Sequence, residues 1–330
     1  MTPEDEKTVR QWNDELAGEV TITLRLTDDD RASDIESFCR AVARLSPHLE
    51  LMQEEGDSED LPAIEVGDQA VLYHAVPSGT KLLPFLESIG RLSDAGSAEK
   101  DHPSPVDDVM SDRLKALEVP AFLRLFVAPD CPFCPVVTRQ VVSLAAASPR
   151  VQVSVIDGTF FSEVAESEGV RSAPTLLLDT GFRWTGQVNL AEVVEAMTQR
   201  DPAELSADVL ENMLKAGNGS ELIDMMLARE MIFPGLIDLL TRDKIFVRVG
   251  AMMVMEEIAH RRKEIAAQVT EPLWQRFFEA NDAVQGDILH VLGEIGDETL
   301  LSRMERILAG DYDKEVKEAA REAIEKITSR

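Results

Sequence analysis

Cys131 and Cys134 stand three positions apart in Cys131-Pro132-Phe133-Cys134-Pro135. Two thiols at that spacing can close into a disulfide and reopen, or can supply half of a tetrahedral zinc site. A strand pattern over Ala121–Val127 runs into the motif, and a helix pattern over Cys134–Ala147 leaves it. At the mouth of a helix, unpaired N–H groups and the macrodipole favour negative charge. Cys131 is therefore expected to ionise more readily than a free cysteine and to act as the nucleophile. Cys134, inside the first turn, is expected to resolve the mixed disulfide. Pro132 and Pro135 suit a first turn, where a missing N–H costs little. Further on, Ala173-Pro174-Thr175 opens another strand pattern, where a proline is explained by a cis peptide bond.

The elements that must position these residues repeat. Val20–Leu26 alternates like a half-buried strand, and 35–45 carries apolar residues at helical spacing. Short strands follow at 61–64 and 70–73, and Gly79 leads into a helix over 81–89. After a joint at 93–108 rich in Ser, Gly, Asp and Pro, the same order returns. It runs through strands at 121–127, 151–156 and 173–177, then Gly186 and a helix over 190–197. Superposing the first strands sets Asp30-Arg31-Ala32-Ser33 against the cysteine motif, Pro62 against Pro174 and Gly79 against Gly186. The first copy has no redox pair.

From about Pro202 strand patterns give way to short amphipathic helices. Three segments share a register: Val247-Arg248 with Ala251, Val284-Gln285 with Ile288, and Val316-Lys317 with Ala320. Each follows another apolar helix, marked by Leu236, Leu239 and Leu240, by Leu273 and Phe277, and by Leu300, Met304 and Ile307. These hairpins resemble HEAT repeats, which bury one another's apolar faces and present extended surfaces to protein partners.

On Cys131-Pro132-Phe133-Cys134-Pro135 and Ala173-Pro174-Thr175, residues 18–200 resemble the tandem thioredoxin-fold protein disulfide oxidoreductases, the glutaredoxin-like proteins. The resemblance implies that Pro174 packs on the cysteine pair and that the Ala173 backbone hydrogen-bonds an extended substrate, with Pro132, Phe133 and Thr175 beside it. The N-terminal domain of the flavoprotein that reduces bacterial peroxiredoxins is similar, with a pair in its second unit only. Two features depart from the pattern. Leu125 occupies the strand position, six before Cys131, that often holds a buried acid, and no Gly-Gly or Asp-Asp glutathione signature follows Thr175.

Other readings compete at single residues. A zinc site needs two more ligands, yet Cys39 lies on the apolar face of a distant helix pattern, and His48, His74, His102, His260 and His290 are scattered. Cys39 reads as a small buried residue, and Phe133 equally as a substrate-facing aromatic or a packing residue. Met225, Met226, Met252, Met253 and Met255 read as core at helical spacing, and Arg261-Arg262-Lys263 as a solvated helix end. A net charge of -28, shared by both halves of the chain, repels phosphate and anionic lipid, so neither nucleic acid nor a membrane is an expected partner.

The expectation is an α/β plus all-α chain: a thioredoxin-like unit at 1–95 without redox cysteines, a second at 96–200 with the pair, and a HEAT-like helical repeat array at 201–330. The expected activity is disulfide exchange with protein substrates through Cys131 and Cys134. No Gly-rich nucleotide fingerprint follows a strand, so no cofactor is expected, and a separate thioredoxin-reductase-like enzyme or a peroxiredoxin is the expected redox partner. The charged N-terminus lacks a secretory core, which predicts a cytoplasmic address. The rival reading is an interaction scaffold or redox sensor.

Overall fold

The computed structural model describes residues 1–56, 60–93, 104–179 and 181–329. Most of the expected joint at 93–108, the boundary near 95 and His102 lie outside the described residues. The chain divides into two compact units, Met1–Gln199 and Arg200–Arg330.

The first unit opens with α1 (Pro3–Glu15), whose N-terminus is closed by a reciprocal cap. The Thr2 hydroxyl accepts from Asp5 N while the Asp5 carboxylate accepts from Thr2 N. Next come β1 (Val20–Leu26), α2 (Ala32–Leu45), β2 (Leu49–Glu55), β3 (Ala63–Val66), β4 (Val71–His74), a 3₁₀ turn at Gly79–Lys81 and α3 (Leu82–Leu92). The order continues through α4 (Asp108–Lys115), β5 (Ala121–Val127), α5 (Cys134–Ala147), β6 (Val151–Asp157), α6 (Ser162–Ser167), β7 (Thr175–Leu178), β8 (Phe182–Thr185) and α7 (Leu190–Thr198).

These strands form one sheet in the order β2-β1-β3-β4-β6-β5-β7-β8. Both halves pair alike. The first and second strands run parallel, while the third is antiparallel to the first and to the fourth. The halves meet at a parallel β4–β6 seam, with Val71 opposite Val153 and His74 opposite Ile156. A single apolar core runs through both, from Val9 and Trp12 of α1 to Val193 and Met197 of α7. β5 is almost wholly buried, as a central strand covered on both faces must be. The edges are of another kind: only Leu49 of β2 is fully buried, and β8 exposes Phe182 and Arg183. Short or polar edge strands discourage pairing with other chains, and for the same reason they lack the apolar alternation by which strands are recognised.

The second unit is helical throughout its described residues: α8 (Ala207–Lys215), α9 (Gly219–Arg229), α10 (Pro234–Leu239), α11 (Ile245–Arg261), α12 (Lys263–Ala266), α13 (Thr270–Phe277), α14 (Asp282–Ile295), α15 (Leu301–Ala309) and α16 (Lys314–Thr328), with 3₁₀ turns between some of them. The apolar residues that marked the three hairpins are all buried. The residue after each shared valine takes a comparable part in two of them. Arg248 donates to the carbonyls of Arg242 and Asp243 at 2.6 Å each, and Gln285 donates to that of Phe277 at 3.0 Å. Both tie the start of their helix to the preceding turn, where Phe277 O also accepts from Ala280 N at 3.4 Å. The methionine group divides: Met226 and Met255 are core, whereas Met253 is exposed, against the expectation, on a helix that also exposes Ile245, Phe246 and Val249. Among the described residues, no helix is long and apolar enough to cross a membrane.

Candidate active site

β5 delivers the chain to the site. Its last residue, Val127, pairs with Asp157 at the end of β6, and Gly158 N donates to Val127 O at 2.9 Å. Residues 128–131 then turn, with Cys131 N donating to Ala128 O at 3.3 Å, and α5 begins at Cys134 with Pro135 in its first turn. The two cysteines are joined as a disulfide with their Cα atoms 5.5 Å apart. Cys134 N donates to Cys131 Sγ at 3.1 Å, so a helix-terminal N–H points at the first sulfur. Cys131 keeps 9% of its surface and Cys134 only 1%, so Cys131 is the more accessible sulfur.

The Ala173–Pro174 bond is cis, and the Ala173 carbonyl oxygen lies 3.5 Å from Cys131 Sγ. The corresponding Leu61–Pro62 bond of the first half is not cis, although Gly79 and Gly186, the other matched pair, both take left-handed φ values of 59° and 84°. Pro174 is buried. Thr175 is buried, its hydroxyl donating to Ser172 O at 2.8 Å. Pro132 is exposed, and Phe133, at 55% exposure, is not a packing residue. Val136, in the first turn of α5, is equally open and extends the apolar rim; nothing in the spacing of the motif singles it out.

Leu125 is fully buried in β5. A buried acid, Asp157, lies one strand away, at the end of β6. The Asp157 carboxylate pairs with Lys81 and accepts from Thr159 N (3.0 Å), Thr159 Oγ1 (2.7 Å) and Phe160 N (3.3 Å). Burial alone would raise this carboxyl, but the Lys81 ammonium and the Thr159 bonds outweigh it and hold Asp157 below the usual carboxylate range. Arg31, set against the cysteine motif by the internal repeat, also reaches this segment. It is clasped by Asp29, donates to Phe160 O at 2.9 Å, pairs with Glu163 at 2.7 Å and lies 4.1 Å over the Phe161 ring. His74 meets Phe161 edge-on and sits 3.1 Å from Pro62 O; burial pulls its imidazole down to about 4.

The other candidate ligands lie elsewhere. Cys39 is a free, fully buried thiol that burial pushes up to about 12, which fits a packing residue. His48 contacts Asn13. His290 has closer company than its isolation in the sequence suggested, since Glu256, His290 and Glu294 offer ligand atoms within 4.8 Å of one another in the second unit. The signal was the one-turn spacing of His290 and Glu294 on α14. These groups already have partners, Glu256 for His290 at 3.0 Å and Lys326 for Glu294.

Comparison with known proteins bears on the first unit. A family model described as a thioredoxin domain matches residues 123–199. The F subunit of alkyl hydroperoxide reductase from Staphylococcus epidermidis is 23% identical over 210 residues, covering 62% of this chain and 39% of the relative. A Bacillus subtilis protein named NADH dehydrogenase is 19% identical over 204 residues, covering 61% and 38%. The chain thus spans about two fifths of the curated relatives it matches. Among solved structures, the NTD_N/C domain of the corresponding Enterococcus faecalis alkyl hydroperoxide reductase component superposes with a TM-score of 0.51 at 20% identity, covering 60% of this chain and 100% of that one. A protein disulfide oxidoreductase from Aeropyrum pernix superposes at 0.52 with 17% identity, covering 62% and 95%. The chain therefore carries a thioredoxin-fold domain holding Cys131 and Cys134, within a region that shares its fold with these two proteins.

Proposed function

We propose that the protein is a thiol-disulfide oxidoreductase acting on protein disulfides through Cys131 and Cys134. The observation that carries this reading is a bridged cysteine pair at a helix N-terminus, its outer sulfur 3.1 Å from Cys134 N and 3.5 Å from the Ala173 carbonyl. In the reduced protein the Cys131 thiolate attacks one sulfur of a substrate disulfide. A mixed disulfide forms and one substrate thiolate leaves. Cys134, deprotonated, then attacks Cys131 Sγ, releases the second substrate thiolate and closes the Cys131–Cys134 bond. Two electrons pass from the pair to the substrate. Exposed Pro132, Phe133 and Val136 form the rim, the Ala173 backbone is the docking edge, and Pro174 and Thr175 shape the floor behind it.

The matching strand order of the two halves supports reading 1–95 and 96–200 as fused thioredoxin-like units, the first without a redox pair. The matching bonds from Arg248 and Gln285 to carbonyls of the preceding turn support a HEAT-like array over 201–330. Its exposed Ile245, Phe246, Val249 and Met253 favour protein binding there. A separate reductase recharges the pair in a reducing, cytoplasmic setting, and relatives named alkyl hydroperoxide reductase favour a peroxiredoxin among the partners. The test is turnover: the purified chain reduces insulin disulfides with a dithiol as donor, and Cys131→Ser abolishes this. Turnover that survives Cys131→Ser, or none in the unaltered chain, rejects the reading.

A further inference from the structure

Cations from the first half converge on one short segment of the second. Lys81 meets Asp157, and Arg31 meets Phe160 O, Glu163 and the Phe161 ring. Lys81 is itself located from behind, because the turn that carries it starts at Gly79, whose N–H donates to Asp5 of α1 at 3.1 Å. That turn packs on α5, the helix that begins at Cys134. Asp157 is opposite Val127, and the next residue, Ala128, closes a turn with Cys131. A hydrogen-bonded turn keeps its end Cα atoms within about 7 Å, so the Asp157 backbone is tied to the cysteine loop through two hydrogen-bonded steps, the β5–β6 pairing and that turn. Neither Lys81 nor Asp157 is well solvated, with 11% and 6% of their side chains exposed.

We infer that Lys81 and Asp157 are positioning residues for the cysteine pair: the first half, which has no redox centre, supplies a fixed cation, and the buried acid absent at Leu125 is replaced by Asp157 from the neighbouring strand. The inference rests on the redox reading above. The two charges balance, so the Cys131 sulfur sees a nearly neutral pair instead of a lone carboxylate. Other charges on surrounding elements are Asp130 beside Cys131, Arg171 two residues before Ala173, Arg139 of α5 paired with Glu87 of α3, and Arg31 with Asp29 and Glu163. Of the groups that meet the Asp157–Glu163 segment, Lys81 and Asp157 are the most buried charges.

A balanced pair makes an unusual demand of its two halves. Lys81→Met uncovers the carboxylate and disfavours the Cys131 thiolate. Asp157→Asn uncovers the ammonium and favours it. The experiment follows alkylation of Cys131 against pH in the reduced full-length protein by iodoacetamide and mass spectrometry. Its midpoint is expected to rise in Lys81→Met and fall in Asp157→Asn, each by about 0.5 to 1 in pH, and to return close to the original in Lys81→Arg. Near-UV circular dichroism identifies folded variants, and the nearly isosteric Asp157→Asn is decisive alone: a midpoint that stays put or rises overturns the inference. Midpoints moving the same way in both variants also overturn it. Insulin turnover by the unaltered chain is measured alongside, so loss of the redox reading is distinguished from loss of this one.

Discussion

Replacing Asp157 by alanine should be among the more damaging single changes in the first unit, and the reason is asymmetry within one ion pair. The substitution strands the Lys81 ammonium, 11% exposed, and removes the acceptor for Thr159 N and Phe160 N. Breaking a buried pair by deleting one partner costs about 3–5 kcal/mol. Lys81→Met is milder, because the remaining carboxylate keeps the Thr159 and Phe160 donors; about 1–2 kcal/mol is expected. For a unit of this size each kcal/mol moves the melting temperature by about 2–4 °C, so Asp157→Ala should melt roughly 10 °C below the unaltered chain. The assay is thermal unfolding of the oxidised protein followed by circular dichroism. The pH dependence supplies a second check. Asp157 is held below the usual carboxylate range, so its contribution is complete above about pH 4 and is lost as the pH falls through its lower folded value. The gap between the unaltered chain and Asp157→Ala should therefore narrow on acidification below about pH 4. Equal losses in Asp157→Ala and Lys81→Met, or a gap that widens in acid, would refute the reasoning.

Three further outcomes follow from single sites. His74 is buried with its imidazole pulled down to about 4, so the unfolded chain takes up a proton that the folded one refuses; up to about 3 kcal/mol is lost as the pH falls from about 6.5 to 4, and His74→Gln should flatten that stretch of a stability–pH curve. Arg248→Met removes donors to the carbonyls of Arg242 and Asp243 and to Asp287, and should cost about 2–4 kcal/mol in urea unfolding, against about 1 for Asp287→Asn at the more exposed partner. Gly293 sits where α14 and α16 nearly touch, and a Cβ there would lie 2.9 Å from Ala323 Cα; Gly293→Ala should lower stability by about 1–3 kcal/mol in the same assay.

How far the sequence could be read depended on which face of each element is buried. β5 and α5 carry strong apolar patterns, and the cysteine motif lies between them as the pattern implies. The cis bond before Pro174 followed from the awkwardness of proline at a strand entry. β2 was illegible because Met52 to Glu55 point to solvent at the sheet edge, and β8 for the same reason. α1 offers few apolar anchors, Val9 and Trp12 foremost among them. The β4–β6 seam could not be foreseen, since strand pairing across a linker leaves no local trace. Lys81 and Arg31 were hidden likewise: each looks like a surface charge until the opposite half is folded against it.

The assignment of Cys131 as nucleophile is tested most directly by trapping. Reduced Cys134→Ser protein, mixed with a disulfide-bonded substrate such as insulin and quenched, should hold the substrate in a stable mixed disulfide that peptide mass spectrometry places at Cys131. Under the same conditions Cys131→Ser should capture little, because Cys134 is 1% exposed. Capture through Cys134 or Cys39, or none at Cys131, would contradict the account.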